Sequence, residues 1–155
     1  MSVTYVEGDI FATEGIKAYA HGCNCAGAMG AGIAVEFKRR WPAMYHEYQR
    51  LCRTGYFKPG SVYRYSDAEG TVIYNLGTQA HWKTGATPAY IESSLEAMLS
   101  VAQEKGDTPE IVMPQIGAGL GGLPWARVKG IIDSVCAATE VNVIVCEYRK
   151  GVSFR

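Results

Sequence analysis

The chain has no excess of charge of either sign, because its 15 Asp and Glu residues balance 15 Lys and Arg residues over 155 positions. A neutral chain gives no reason to expect general electrostatic attraction to nucleic acid or to a membrane surface. No apolar run reaches the roughly 18 to 20 residues that span a bilayer, and the N-terminus lacks the pattern of a signal peptide. We therefore expect no membrane association.

The chain also lacks the even number of cysteines that a framework of disulfides requires, since it has five. Cys136 and Cys146 lie in apolar surroundings, and Cys23 and Cys25 lie in a glycine-rich segment. Reduced thiols of this kind are typical of a cytoplasmic protein. His21, Cys23 and Cys25 are spaced more tightly than usual zinc ligands, and no second cysteine pair follows them. We expect no metal and no cofactor.

Apolar patterning predicts strands and helices in mixed order. Short apolar, β-branched runs predict six strands, at Val3–Val6, Lys17–Ala20, Ser61–Tyr65, Thr71–Leu76, Glu110–Met113 and Val141–Cys146. Apolar residues at helical spacing predict four helices, at Gly30–Arg40, Pro42–Arg53, Pro88–Gln103 and Pro124–Thr139. This order predicts an α/β fold with three layers, α/β/α, and a mixed, largely parallel central sheet. With no linker or repeat apparent, we expect a single domain over residues 1–155.

Two glycine-rich loops each lie between a predicted strand and a predicted helix. The first spans residues 21–32 (HGCNCAGAMGAG), and the second spans residues 116–123 (IGAGLGGL). Glycine lets backbone N–H groups approach a ligand closely, and a loop that leads into a helix gathers unpaired amides. Two such loops in a small domain predict a ligand with an extended anionic centre, such as a diphosphate, beyond the carboxyl ends of the strands.

Asp9 and Asn24 are the polar residues that stand out beside this predicted site. A carboxylate at Asp9, after the first strand, can accept a hydrogen bond from an exocyclic amine such as adenine N6, with Ile10 and Phe11 close enough to cover a ring. The alternative for Asp9 is an ordinary turn. The amide of Asn24 suits a ribose hydroxyl, and its alternative role is to stabilise a bent loop through the loop's own backbone.

Other site types fit less well. The second loop lacks the lysine and hydroxyl residue of a P-loop. It also comes too late in the chain for the first βα turn of a Rossmann domain. A nucleophilic pair of Cys25 and His81 is conceivable, but no sequence feature brings the two residues together.

Three segments resemble the macrodomain family of ADP-ribose-binding modules. They are residues 8–11 (GDIF), residues 29–37 (MGAGIAVEF) and residues 113–120 (MPQIGAGL). The MGAGIA form is similar to one branch, the terminal ADP-ribose protein glycohydrolases and the related DNA ADP-ribosyl glycohydrolase antitoxins. The resemblance covers nearly the whole chain and implies a three-layer α/β/α macrodomain that binds ADP-ribose.

The resemblance implies a place for each part of ADP-ribose. Asp9 would bind the adenine amine, Tyr148 would cover the adenine, and Asn24 would contact the distal ribose. The two glycine loops would hold the diphosphate between them. The implied ADP-ribose-binding residues are Gly8, Asp9, Ile10, Phe11, His21, Asn24, Met29, Gly30, Ala31, Gly32, Ile33, Thr78, Gln79, Ile116, Gly117, Ala118, Gly119, Leu120, Gly121 and Tyr148.

The catalytic residues of that branch are absent here. Its lysine after the fourth strand corresponds to Gln79, and its aspartate in the second glycine loop corresponds to Gly121. An amide is not a nucleophile, and glycine has no side chain. Lys83 lies four residues after Gln79 and reaches the site only if the loop bends differently. Another macrodomain class pairs an asparagine with an aspartate, and here Glu36 lies near that second position.

We therefore assign the predicted catalytic roles to Asn24, Gln79 and His81. Asn24 would orient the ribose or a water, and Gln79 or His81 would hydrogen-bond the reacting end. Imidazole titrates near pH 6.5 and suits acid–base work. An ester at the anomeric carbon is labile, so we expect modest help to suffice: a water polarised by the ligand's own phosphate, a ribose fixed by the loops and a stabilised leaving carboxylate.

The resemblance predicts an ADP-ribosyl hydrolase that removes ADP-ribose from macromolecules, chiefly from Glu or Asp side chains of mono-ADP-ribosylated proteins. One alternative is a non-catalytic ADP-ribose reader, which we favour less because the chain carries no second domain to deliver a reader's output. Others are a hydrolase of a small ADP-ribose derivative or of ADP-ribosylated DNA. Nucleic acid is expected only as an ADP-ribosylated substrate, and neutral charge predicts a monomer.

Overall fold

The strands of this protein assemble into one six-stranded sheet in the computed structural model, which describes residues 3–148. The strands are β1 (Val3–Glu7), β2 (Ala18–Asn24), β3 (Val62–Ser66), β4 (Val72–Gln79), β5 (Glu110–Met113) and β6 (Asn142–Glu147). Their order across the sheet is β1-β6-β5-β2-β4-β3. β3 runs antiparallel to β4, and the other neighbouring pairs are parallel. This confirms the predicted mixed, largely parallel sheet.

Four α-helices cover the sheet on both faces. They are α1 (Ala34–Arg40), α2 (Pro42–Arg53), α3 (Pro88–Lys105) and α4 (Trp125–Val135), with short 3₁₀ turns at Ile10–Ala12, Gly119–Gly121 and Cys136–Ala138. α1 and α2 bury side chains in one core, and α3 and α4 bury side chains in the other. Strand β4 shows how the cores are separated, because Tyr74 faces one core and Ile73 faces the other. The predicted three-layer α/β/α fold is confirmed.

Helix α3 shows how local sequence sets an element's ends. The Thr87 side chain accepts a hydrogen bond from the Tyr90 amide at 3.1 Å, and Pro88 occupies the first turn. Gly106 ends the helix in the left-handed conformation, at φ 68°.

Two predicted helices are shorter than expected. The helix predicted at Gly30–Arg40 begins only at Ala34, because Gly32 takes a positive φ of 63° that a helix does not allow. The helix predicted at Pro124–Thr139 ends at Val135 and continues as the 3₁₀ turn at Cys136–Ala138. The late start of α1 leaves residues 30–33 as an open loop at the carboxyl edge of the sheet.

Within residues 3–148, no helix is both long enough and apolar enough to cross a membrane.

Gly77 is expected to tolerate no side chain, because β4 passes directly against the segment that precedes β3. A Cβ at Gly77 would lie 2.5 Å from the Lys58 carbonyl oxygen and 3.4 Å from the Gly60 nitrogen. Since backbone cannot move aside cheaply, we expect Gly77→Ala to lower the free energy of unfolding by about 2 to 3 kcal/mol in urea titrations. Gly130→Ala is the control, because its Cβ meets no atom within 4 Å in a helix. It is expected to add about 0.5 to 1 kcal/mol, and equal stability of the two variants would contradict this packing.

Candidate functional site

A cavity of about 830 Å³ opens at the carboxyl edge of the sheet. Its wall comes from the segments that follow β2, β4, β5 and β6, as expected for a sheet of this class. Fourteen of the predicted site residues lie in this wall, namely Asn24, Gly30, Ala31, Gly32, Ile33, Thr78, Gln79, Ile116, Gly117, Ala118, Gly119, Leu120, Gly121 and Tyr148. The two glycine loops therefore line one cavity. The ligand contacts assigned to these residues stay predictions.

Sequence reasoning missed seven residues of the wall, namely Gly22, Cys23, Ala28, Ala34, Trp82, Pro114 and Gln115. Most of them adjoin predicted site residues along the chain. Pro114 is the exception; Trp82 follows the predicted residue His81 and is 53% exposed.

The first glycine loop offers a row of unpaired backbone donors. Within residues 3–148, the amide N–H groups of Gly30, Ala31, Gly32 and Ile33 have no protein acceptor. All four residues line the cavity. Successive free amides of this kind form a concave site for an anion.

The second glycine loop faces the first and offers donors of its own. The amides of Gly117, Gly119 and Leu120 likewise have no acceptor in the described part of the chain. Gly117 and Gly119 take positive φ values of 73° and 44°. The Leu120 side chain lies against Gly32, where an added Cβ would come 3.2 Å from its Cδ1 atom. The loops thus approach each other across the cavity.

Asn24 has the structural role that was the alternative at the sequence level. Its Oδ1 atom accepts hydrogen bonds from the amides of Ala26 at 3.0 Å and Ala28 at 3.3 Å, and its Nδ2 atom donates to the Ala28 carbonyl at 2.8 Å. The buried Tyr48 hydroxyl donates to the Asn24 carbonyl at 2.7 Å and to Oδ1 at 3.0 Å. One amide hydrogen remains for a ligand. Asn24 therefore shapes the first glycine loop from within.

Gln79 ties down the loop that follows β4. Its Nε2 atom donates to the carbonyl oxygens of His81 at 3.2 Å and Thr84 at 2.7 Å. Both partners are acceptors, which fixes the orientation of the amide and uses both of its hydrogens. Toward the cavity, Gln79 keeps only the acceptor atom Oε1.

His81 lies outside the cavity wall, in contrast to its predicted catalytic position. Its Nδ1 atom accepts a hydrogen bond from the Lys83 amide at 3.1 Å. This contact turns the imidazole toward Trp82, whose ring centroid lies 3.8 Å from its own. The ring therefore supports Trp82, and Lys83 itself is exposed and outside the wall.

The position that matches the aspartate of the resembling branch has little room for a side chain. Gly121 is buried, and its carbonyl oxygen accepts a hydrogen bond from the Ala86 amide at 2.9 Å. A Cβ at Gly121 would lie 3.1 Å from the Ala86 Cβ. Glu36 also stays outside the wall, where a hydrogen bond from Arg39 lowers its pKa. No acidic, basic or imidazole side chain of residues 3–148 lines this cavity.

His21 is a core residue, which corrects its predicted place among the ligand contacts. Its side chain has no exposed surface and does not reach the cavity. Its Nε2 atom lies 2.7 Å from Asn75 Oδ1, and its ring stacks on Phe37 with centroids 3.8 Å apart. Burial lowers the pKa of His21 to about 4, so the ring is neutral at pH 7. Met29 is likewise buried and outside the wall.

The buried His21 predicts a loss of stability in mild acid. Its pKa is about 4 in the folded chain and about 6.5 when unfolded. Between these values only the unfolded chain takes up the proton, so His21 lowers the free energy of unfolding by about 1.4 kcal/mol per pH unit as pH falls from 6.5 toward 4. Urea titrations at pH 7.5, 6.5 and 5.5 measure this slope.

The matched control for this experiment is His46→Gln, on the exposed face of α2. His21→Gln is expected to reduce the slope below pH 6.5 relative to wild type and to His46→Gln. An unchanged slope in His21→Gln would contradict a neutral buried imidazole at this position.

Tyr148 lines one end of the cavity, and Asp9 lies near it. Asp9 is exposed, and its Oδ1 atom accepts a hydrogen bond from the Phe11 amide at 2.9 Å. Burial, followed by the nearby carboxylate of Asp9, raises the pKa of Tyr148 well above its usual value. The Tyr148 amide donates to Gln115 Oε1 at 3.1 Å. The second carboxylate oxygen of Asp9 can accept from an amine at this end.

Asp9 does not line the cavity wall, and neither do the other predicted adenine-site residues Gly8, Ile10 and Phe11. Ile10 is fully buried, and the Phe11 ring packs against Tyr19 and Phe37 at centroid distances of 5.3 and 5.2 Å. Gly8 also lies outside, where its amide donates to the Glu147 carbonyl at 3.1 Å. Ile10 and Phe11 thus support Asp9 from the core.

Comparison with known proteins places this chain in a family. The model of the Macro domain family matches residues 20–132. The chain belongs to the Macro domain family. The matched part of this macro domain contains both glycine loops, whereas Asp9 and Tyr148 lie outside it.

Relatives of this macro domain include two named hydrolases. It is 33% identical over 147 residues to DNA ADP-ribosyl glycohydrolase of Thermus aquaticus, covering 92% of this chain and 40% of that protein. It therefore spans less than half the length of that relative. It is 34% identical over 143 residues to the human ADP-ribose glycohydrolase OARD1, covering 92% of this chain and 90% of that protein.

Solved structures agree with this macro domain in fold. The macrodomain of Mycobacterium tuberculosis DarG matches with a TM-score of 0.84 and 30% identity, covering 96% of this chain and 98% of that one. The macrodomain of Thermus aquaticus DarG matches with a TM-score of 0.83 and 32% identity, over 95% and 97% of the two chains.

Proposed function

We propose that this macro domain is an ADP-ribosyl hydrolase, which binds ADP-ribose in the cavity and releases it from modified macromolecules. The observation that carries the proposal is the two facing rows of unpaired amides, which suit the two phosphates of ADP-ribose. The relatives named DNA ADP-ribosyl glycohydrolase and ADP-ribose glycohydrolase support it.

The proposed contacts, taken with the order of the strands, imply a direction for the bound ligand. Across the sheet, β1 is followed by β6, β5, β2 and β4. At about 4.8 Å between neighbouring strands, the distance from β1 to β4 is roughly 19 Å. Adenine lies at the β1/β6 end with Asp9 and Tyr148, and the diphosphate lies between the glycine loops. The distal ribose then lies at the β2/β4 end, beside Asn24 and Gln79.

The chemistry follows from what the wall contains. In hydrolysis, a water oxygen forms a bond to the anomeric carbon of the distal ribose. The bond from that carbon to the attached group breaks, and the attached group leaves with the electron pair and gains a proton. The described wall holds no acid or base, so rate enhancement comes from positioning, with a phosphate of the ligand polarising the water. Asn24 and Gln79 position the ribose with one donor and one acceptor.

A non-catalytic reader is the second candidate. The observation that favours it is the absence of the branch's catalytic pair, since Gln79 and Gly121 stand where that branch has its lysine and aspartate.

Calorimetric titration with ADP-ribose, with AMP and NAD as competitors, tests the cavity. One-to-one binding that prefers ADP-ribose over AMP supports the site, and no binding at millimolar ligand would overturn it. Turnover of a peptide ADP-ribosylated on glutamate and of an ADP-ribosylated oligonucleotide then separates the two candidates. Release of ADP-ribose from either substrate supports the hydrolase, and binding without release from both supports the reader.

We also propose that the protein acts in the cytoplasm as a monomer. All five cysteines are free thiols, which suits a reducing compartment. Sedimentation at several protein concentrations tests the monomer, and fractionation of cells tests the compartment.

A further inference from the structure

Trp82 is an exposed aromatic side chain in the wall of the candidate site. In the described part of the chain, five large hydrophobic side chains are exposed, and Trp82 and Leu120 are the two that line the cavity. Leu120 contacts the other glycine loop at Gly32. Trp82 is 53% exposed, and its indole nitrogen donates to no acceptor within residues 3–148. Its ring is therefore available to something outside the fold.

The indole is held in place by its own loop. His81 packs on it with a centroid distance of 3.8 Å and an interplanar angle of 31°. The Lys83 amide fixes His81, and the two donor hydrogens of Gln79 fix the loop at His81 and Thr84. The loop is also joined to the second glycine loop, since the Ala86 amide donates to the Gly121 carbonyl. A ring fixed in this way loses little conformational freedom when it binds a partner.

The position of Trp82 identifies the part of a substrate that it meets. It follows β4, at the opposite end of the site from Tyr148 after β6. With adenine beside Tyr148 and the distal ribose beside Gln79, the group attached to the anomeric carbon emerges next to Trp82. This step rests on the proposed function and on the ligand direction given there.

The chemistry of the wall distinguishes two classes of attached group. The unpaired amides of the glycine loops are assigned to the diphosphate, and no Lys, Arg or His of residues 3–148 lines the wall to hold a departing carboxylate. A nucleobase presents a flat π face, which an exposed indole binds by stacking. The wall thus suits a planar heterocycle better than an acidic side chain.

We propose that Trp82 is a specificity-determining residue that stacks on the nucleobase to which ADP-ribose is attached. Water then supplies the oxygen that bonds to the anomeric carbon as the bond from that carbon to the base nitrogen breaks. The base nitrogen keeps the electron pair and takes a proton. Stacking holds the base in line for departure and distinguishes nucleic acid from protein substrates.

The test compares wild type, Trp82→Ala, Trp82→Phe and the control Tyr56→Ala, which removes an aromatic ring that is 76% exposed and outside the wall. The substrates are a single-stranded oligonucleotide ADP-ribosylated on one base nitrogen and a peptide ADP-ribosylated on one glutamate. We expect Trp82→Ala to lose about 5- to 100-fold in kcat/KM on the oligonucleotide. Trp82→Phe retains most of the activity, Tyr56→Ala retains all of it, and turnover of any cleaved peptide is unaffected by Trp82→Ala.

Binding measurements separate this proposal from the proposed function. Affinity for free ADP-ribose should be the same in wild type and Trp82→Ala, whereas wild type should bind the modified oligonucleotide more tightly than free ADP-ribose. Trp82→Ala should lose that difference, and this holds even if the protein is a reader that cleaves neither substrate. If the oligonucleotide and free ADP-ribose bind wild type equally, or if Trp82→Ala and wild type treat the oligonucleotide alike, the stacking role is wrong. An equal loss on both substrates would overturn the preference for a base.

Discussion

Gly119→Glu is expected to weaken ADP-ribose binding by about 100-fold or more, equivalent to about 2.7 kcal/mol. Gly119 lines the cavity, and its amide is one of the unpaired donors of the second loop. A Cβ there meets no atom within 4 Å, so the added side chain has space in which to enter the cavity. Its carboxylate would then repel the diphosphate and occupy the space that the ligand needs. Calorimetric titration with ADP-ribose measures the loss.

Gly122→Glu is the matched control, because it carries the same substitution three residues further along the same loop. Both glycines have positive φ, 44° at Gly119 and 79° at Gly122, and a Cβ at either would meet no atom within 4 Å. Gly122, however, does not line the cavity. The two variants therefore share backbone strain and added charge, and Gly122→Glu should bind ADP-ribose close to wild-type affinity. Equal binding by both variants would show that the diphosphate lies elsewhere.

Much of the fold is predictable from the chain because apolar periodicity and glycine placement are local signals. The six strands and four α-helices found in residues 3–148 were all predicted, in the correct order. The carboxyl ends of β2 and β4 were not predicted correctly. Both strands continue beyond their predicted ends, Ala20 and Leu76, through polar residues and glycines. Buried His21 and Asn75 hydrogen-bond each other across these two strands. Such a pair depends on the strands being neighbours, which no local pattern reveals.

The candidate site was predictable in its backbone and less so in its side chains. Glycine spacing locates the two loops, because a row of unpaired backbone amides depends on the local chain and not on a side chain elsewhere in the sequence. The roles of Asn24 and Gln79 depend on what each amide contacts, and Tyr48 lies 24 positions from Asn24. Trp82 was missed, although an aromatic residue in a short polar loop after a strand's carboxyl end is a signal that locates it. Residue type alone therefore identified candidate site residues but not the groups with which they form hydrogen bonds.

Asn24→Ala is expected to lower both stability and ADP-ribose affinity, because it removes the side chain that shapes the first glycine loop. It removes the hydrogen bonds that Asn24 makes with the amides of Ala26 and Ala28 and with the Ala28 carbonyl. We expect a loss of about 2 to 4 kcal/mol in the free energy of unfolding, since each of the three lost hydrogen bonds contributes about 0.5 to 1.5 kcal/mol. ADP-ribose affinity should fall at least about 10-fold, because the loop that carries the amide row is no longer held.

Tyr48→Phe separates the loop-shaping role of Asn24 from a catalytic one. Tyr48 is fully buried and outside the cavity wall, and its hydroxyl holds Asn24 at 2.7 and 3.0 Å. If Asn24 acts by shaping the loop, Tyr48→Phe weakens stability by about 1 to 2 kcal/mol and also weakens ADP-ribose binding, in the same direction as Asn24→Ala. A catalytic Asn24 gives a different pattern, in which Asn24→Ala lowers kcat at saturating substrate while ADP-ribose affinity is retained. Apart from one amide hydrogen, the hydrogen-bonding groups of the Asn24 side chain are used in hydrogen bonds within the fold. We therefore expect the loop-shaping pattern to account for most of the loss.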